Sequence, residues 1–212
     1  MVADDALIQL FHTHGAVRRY DAGDRILNAG DHPSAVFLVR SGAVKVSVVA
    51  RSGRESLLEV REPGALLGEM SAILGGGRSA AADGLVPGEL LRVPIAEFRR
   101  ELDNPEFAKA LLVETARRLR TASLHQHEIA AGTARSRIAR VLADLAGRIG
   151  VVDGDEVHLG ALSQQDIADF AGVSRDSAVR TLGEFRRAGW VSTGRRRLVL
   201  RDVAALGQIA EV

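Results

Sequence analysis

The chain has 212 residues, 46% of them hydrophobic, and a formal net charge of +1. That is enough apolar material for two domains with their own cores, and too little net charge for a general polyanion binder. It contains no cysteine, which excludes disulfides, iron–sulfur clusters, thiolate-bound haem and cysteine-rich zinc sites. The opening MVADDALIQL carries two acids and no long apolar run, so it does not read as a secretory signal, and no stretch is long enough to span a membrane. A cytoplasmic location is the expectation.

Residues 25–93 read as β structure. Turn signals at Ala22-Gly23-Asp24, Asn28-Ala29-Gly30-Asp31, Arg40-Ser41-Gly42, Arg51-Ser52-Gly53-Arg54, Pro63-Gly64 and Pro87-Gly88 separate short runs rich in valine and leucine. Evenly spaced short strands predict a compact sandwich or roll. AVKVSVVARSGRESLLEV predicts a hairpin. The same region holds GALLGEMSAILGGGRSAAA, where Gly68-Glu69 open a short helical turn and Arg78-Ser79 follow three glycines. A cyclic nucleotide monophosphate needs a guanidinium and N–H or O–H donors for its phosphate, a carboxylate for its ribose hydroxyl and glycine for close backbone approach. Gly68, Glu69, Arg78 and Ser79 supply that set. They also fit a glycine-rich loop with a surface Arg–Glu pair, and the residues alone leave both readings open.

Asn104-Pro105-Glu106 is a helix start: Asn can cap, Pro is tolerated in the first turn and Glu complements the dipole. No glycine or proline follows until Gly132. Ala108, Leu112, Thr115, Leu119, Ala122, Gln126 and Ile129 recur at alternating four and three spacing, which predicts a dimer seam. The alternative is one long helix packed on its own domain. A second helix is predicted over 133–149, with Ile138, Val141, Leu142 and Leu145 on one side, then a turn at Asp153-Gly154-Asp155. Helices at 164–170 and 175–188 and a final hairpin with a short amphipathic helix complete the chain.

Ser163 with Asp166 makes a capping-box pattern, Ile167 and Phe170 face inward, Gly172 breaks the chain and Ser174 caps the next helix, whose buried stripe is Ala178, Val179 and Leu182. Two short helices around a tight glycine turn predict a helix-turn-helix. The second helix leaves Asp176, Ser177, Arg180, Gly183, Glu184 and Arg187 on its open side, with Arg175 in its first turn. Arginine can bond guanine bidentately, and a carboxylate can accept from the cytosine amino group. Residues 171–201 hold eight arginines against two acids, and the hairpin tip Thr193-Gly194-Arg195, with Arg196, reads as a wing on phosphate. Ser174, Arg175, Asp176, Ser177, Arg180, Arg195 and Arg196 are therefore the candidate DNA contacts. A solvated helix with an Asp176–Arg180 pair, or a winged helix that binds protein, is the competing reading. The six histidines lack metal-ligand spacing and no nucleophile–base arrangement stands out, so neither a metal site nor an enzyme is expected.

LSQQDIADFAGVSRDSAVRTL resembles the DNA-binding motif of the cyclic-AMP receptor protein/FNR family of bacterial transcription regulators, and the order of parts matches along nearly the whole chain. The resemblance implies an α+β fold: an N-terminal β-roll sensor domain (1–103), a long dimerisation helix (104–132) and a C-terminal winged helix-turn-helix domain (133–212). The family's base-reading set falls on Arg175, Asp176 and Arg180, with Asp176 one methylene shorter than the family's glutamate. This implies a homodimer on double-stranded DNA, with TGTGA-like half-sites about one helical turn apart, and RNA polymerase as a partner. GE…RSA resembles the phosphate-binding cassette of cyclic-nucleotide-binding domains and implies cyclic AMP as effector. The family's adenine-contacting Thr-Ser pair falls on Ala122 and Ser123, so one hydroxyl is missing. The function implied is a DNA-binding regulator under allosteric control by cyclic AMP. The alternatives are the same regulator with another effector or none, or a cyclic-nucleotide-binding module that docks a protein partner.

Overall fold

A computed structural model describes residues 5–49, 55–130, 132–194 and 197–211, and the side chains of all of these except 5, 6 and 124–130. The turn at 51–54, the side chains at the seam positions Gln126 and Ile129, and the wing arginines Arg195 and Arg196 lie outside that description.

The described residues begin with a helix, α1 (Asp5–His14), and a strand, β1 (Ala16–Tyr20), ahead of the predicted β region. The strands β2 (Arg25–Leu27), β3 (Ala35–Val49), β4 (Glu55–Arg61), β5 (Leu66–Leu67) and β6 (Ala81–Pro94) follow, with the short helix α2 (Glu69–Leu74) between β5 and β6. All pairings are antiparallel, in the order β1-β6-β3-β4, with β2 on β6 and β5 on β3. The hairpin predicted over AVKVSVVARSGRESLLEV is the β3–β4 pair. Two predicted turns are not turns. β3 runs through Arg40-Ser41-Gly42 and β6 through Pro87-Gly88, because shifts in register where the two strands pair, between Val39 and Val44, let the chain bend without leaving the ladder.

Tyr20, Ile26, Phe37, Val39, Val44, Val46, Leu67 and Leu90 fill the inside of the roll. Tyr20 donates to the Ser41 carbonyl at 3.0 Å, and burial pushes its phenol up to about 12. A second core joins α1 (Leu7, Phe11), α3 (Ile95–Glu101, through Phe98) and the start of α4 (Pro105–Ala130, through Phe107, Ala110 and Leu111) to the outer face of β3 and β6. Phe98 meets Phe107 edge-on at 5.4 Å. The Glu106 N–H donates to the Asn104 side chain, so the predicted cap forms.

The C-terminal part holds α5 (Ala134–Ile149), the hairpin β7 (Val151–Asp153) and β8 (Glu156–His158), α6 (Gln164–Phe170), α7 (Arg175–Arg187), the hairpin β9 (Val191–Gly194) and β10 (Arg197–Leu200), and α8 (Val203–Ala210). Its sheet order is β7-β8-β10-β9. Ile138, Val141, Leu142 and Leu145 of α5 are buried, as their spacing predicts. The same core takes in Ala43, Leu57, Val60 and Leu85 of the roll, so the two halves are in apolar contact. The architecture is α+β, a β-roll followed by helices and a winged helix-turn-helix. No helix among the described residues is long and apolar enough to cross a membrane.

Candidate functional site

Two regions gather the candidate residues. The first is a cavity of about 270 Å³ in the roll, lined among others by Leu27, Val46, Leu67, Gly68, Glu69, Arg78, Ser79 and Arg118. Gly68 stands at φ +79°, in the left-handed region that favours glycine, and a Cβ there would lie 2.2 Å from Arg78 Nη1 as the guanidinium is now placed. The guanidinium occupies that space. Its Nη1 donates to the Gly68 carbonyl at 2.7 Å and to Ser71 Oγ at 3.0 Å, and its Nη2 donates to the Ala35 carbonyl. The backbone of Arg78 is tied on both sides, its N–H to the Asp31 carbonyl and its carbonyl to the Gly30 N–H. Burial lowers the pKa of Arg78, with Glu69 and Asp31 opposing.

Glu69, the expected ribose acceptor, is 3% exposed and already partnered. Its Oε1 accepts from Arg118 Nη1 of α4 at 2.5 Å and lies 3.6 Å from Arg61 Nη2 of β4, which also pairs with Glu59 at 2.9 Å. Burial works against the charge of Arg118, but Glu69, Glu59 and Glu114 together raise its pKa. Burial lowers the pKa of Arg61 despite the same acids. Sequence reasoning missed Arg61 and Arg118. They lie 8 positions before and 49 positions after Glu69, and nothing local marks either of them.

The cavity therefore brings together Gly68, Glu69, Arg78 and Ser79, the last exposed at its rim. It does not include Ala122 or Ser123, which are exposed on α4, where Ser123 Oγ donates to its own helix at the Leu119 carbonyl. The donor set suits an anion with a hydroxylated sugar: a deeply seated guanidinium, a carboxylate and an exposed serine over an apolar floor.

The second region is the outer face of α7. Ser163 and Asp166 form the reciprocal capping box at the start of α6, and the Ser174 side chain accepts from the Ser177 N–H to cap α7. Arg175, Asp176, Arg180 and Arg187 are exposed, as expected, and Ser174 and Ser177 bond to each other at 2.9 Å. No Asp176–Arg180 ion pair forms among the described residues. Ala178 and Leu182 are fully buried. Val179 corrects the expected stripe: it is 38% exposed, on the same side as Arg175 and Arg180. A cleft of about 430 Å³ runs beside this face, lined by Ser163, Gln164, Arg175, Thr193 and Arg197 among others.

Polar contacts join the roll to the C-terminal part. Lys45 of β3 bonds Asp166 at 3.1 Å, the Leu57 N–H of β4 donates to Asp169 Oδ2 at 3.0 Å, and Glu62 pairs with Arg148 of α5. The Ala161 N–H donates to the Leu85 carbonyl at 3.0 Å. Gly160, at φ +72°, permits that approach, since a Cβ there would lie 2.1 Å from the same oxygen. β4 thus touches both the cavity and the C-terminal core: Leu58, Glu59 and Arg61 line the cavity, while Leu57 and Val60 enter the core.

Residues 17–104 match the cyclic nucleotide-binding domain family, and residues 136–209 match the Crp-like helix-turn-helix domain family. The chain is 34% identical over 197 residues to the cyclic AMP receptor protein of Thermus thermophilus, covering 91% of this chain and 87% of that one. It is 27% identical over 193 residues to the CRP-like cAMP-activated global transcriptional regulator of Mycobacterium tuberculosis, covering 90% and 86%. A crystal structure of a CRP-family transcriptional regulator from Thermus thermophilus superposes with a TM-score of 0.76 at 26% identity, covering 92% of this chain and 97% of that one. By this sequence and fold, the chain belongs to the CRP/FNR family of transcription regulators.

Proposed function

We propose that the chain acts as a homodimer that reads a palindromic, TGTGA-like operator with α7 and is controlled by cyclic AMP held in the roll. The observation that carries the DNA reading is the exposure of Arg175, Asp176 and Arg180 on one face of a capped second helix, with Arg197 of the final hairpin lining the same cleft as Arg175. Arg175 and Arg180 are the base-reading candidates, Ser174 and Ser177 fix the start of the helix, and Arg195 and Arg196 contact phosphate as the wing. The dimer reading is supported by Leu112 and Leu119, 69% and 70% exposed one above the other on α4. Residues 1–103, 104–132 and 133–212 then serve as sensor, dimer helix and DNA-binding domain, in the cytoplasm and with RNA polymerase as the onward partner.

Cyclic AMP as effector is supported by the Arg78, Glu69, Ser79 and Gly68 set and by the names of the two relatives. The base would have to meet α4 near Ser123 without the hydroxyl that Ala122 lacks. β4 offers a route from cavity to DNA-binding domain inside one subunit, in addition to the path along α4 past Gly132. A second reading, ligand-independent activity or another effector, is favoured by the same cavity: Arg78 and Glu69 already have protein partners in Gly68, Ser71 and Arg118.

The test is fluorescence anisotropy with a TGTGA palindrome and a scrambled duplex at several salt concentrations. The expected result is at least a thousandfold preference for the palindrome, with affinity falling steeply with salt. Arg175→Ala or Arg180→Ala should weaken palindrome binding by about 1–3 kcal/mol and relax the preference at one base pair. Equal, salt-insensitive binding of both duplexes contradicts the reading.

A further inference from the structure

We infer that Val179 is a specificity-determining residue that reads the methyl group of a thymine, and that position 183 is glycine so that Val179 can reach it; this rests on the DNA-binding role proposed above and adds a recognition element to it. Two observations carry it.

The first is the place of Val179. The buried stripe of α7 is complete without it: Ala178, Thr181, Leu182 and Phe185 are all buried. Val179 stands instead 38% exposed. With 3.6 residues per turn, Val179 and Gly183 lie one turn apart, between the lines of Arg175 and Arg180 and close to Asp176. An apolar, β-branched side chain thus stands on the face that carries the charged groups, beside the line of Arg175. It gains nothing there from helix propensity, which valine serves poorly.

The second is Gly183. Glycine in a helix interior is the least favourable choice after proline, and nothing inside the protein calls for it. A Cβ at 183 would meet only the far ends of the Arg186 and Arg187 side chains, both at 3.8 Å, an ordinary contact distance. Its backbone is regular helix. A bare backbone one turn beyond Val179, on the open face, lets α7 approach a partner closely at that line.

A major-groove floor is mostly hydrogen-bonding groups, and its apolar element is the thymine C5-methyl. The valine methyls have no complement among the other base edges. Arg175 and Arg180 therefore address guanine-type edges at the two sides of the face, Asp176 a cytosine amino group, and Val179 a thymine between them.

The experiment starts from the tightest duplex that the full-length protein selects from a random pool. Each thymine of its half-sites is replaced in turn by uracil, which deletes the methyl and leaves the hydrogen-bonding edge intact. At one position the wild-type protein should lose about fourfold in affinity per half-site, the worth of one buried methyl-sized group. Val179→Ala should bind the thymine and uracil duplexes alike at that position while still preferring the selected duplex to a scrambled one. Gly183→Ala should lower affinity while leaving thermal stability unchanged or raised, which a purely structural glycine would not do. If wild type tolerates uracil everywhere, if the half-site holds no thymine, or if Val179→Ala keeps the discrimination, Val179 reads no methyl, and the DNA role of Arg175 and Arg180 stands. If no duplex is enriched from the pool, the DNA reading itself fails and this inference with it.

Discussion

Leu112→Glu with Leu119→Glu should leave the chain monomeric and lower its affinity for a palindromic operator by about two to four orders of magnitude. Both leucines are more than two-thirds exposed in the single chain and lie two turns apart on α4. The opposite stripe of that helix, Phe107, Ala110 and Leu111, is buried against α1 and α3, so the helix is anchored without them. Four charges facing one another across a close seam, two from each subunit, would repel and would have to be desolvated. The monomer keeps one recognition helix, and the second half-site is then no longer presented at high effective concentration. Sedimentation gives the mass and anisotropy the affinity. The variant should retain the melting behaviour of a folded chain and bind a single half-site as weakly as the wild-type dimer does. A double variant that remains dimeric and binds the palindrome normally places the seam elsewhere.

Arg118→Ala should be the most destabilising single change near the cavity, at about 3 kcal/mol, which corresponds to a fall in Tm of roughly 6–12 °C for a chain of this size. The change removes the partner that touches Glu69 and leaves a carboxylate, 3% exposed, with Arg61 at 3.6 Å as its nearest cation. Breaking one member of a buried pair is far more damaging than removing the pair, because the remaining charge is left in a medium that solvates it poorly. Glu69→Gln with Arg118→Ala should therefore recover most of the loss. Denaturation of wild type, both single variants and the double variant closes the cycle. A coupling near zero would mean that water already solvates Glu69 and that the pair holds nothing together.

The parts of this molecule that were legible in the sequence are those set by neighbours in the chain. Asn104, Ser163 with Asp166, and Ser174 each bond within three residues of themselves, so the helix starts they mark appear where the spacing put them. The β7–β8 turn at Asp153-Gly154-Asp155 is local in the same way. What was hidden depends on partners far along the chain. Gly42 and Pro87-Gly88 look like turns, yet they sit opposite each other in a long ladder that absorbs the irregularity. β1 carries Val17, Arg18 and Arg19 on an exposed edge, with no alternation to betray a strand. Val179 has the composition of a core residue, and only the packing of Ala178 and Leu182 shows that the stripe is filled without it. The residue types of the cavity were readable, but their connections were not. Arg78 turns into its own loop, and Glu69 is held by an arginine on a different element.

If the cavity and the α7 face are energetically coupled, reciprocal titration shows it most directly. The affinity of the full-length dimer for the palindrome is measured with and without saturating cyclic AMP, and its affinity for cyclic AMP with and without saturating palindrome. Thermodynamic linkage requires the two ratios to be equal, and the account predicts a common factor of about 5–150. Arg78→Leu should abolish cyclic AMP binding and with it any effect of cyclic AMP on the palindrome. Both ratios equal to one, with cyclic AMP and DNA each bound, would show two sites that ignore each other.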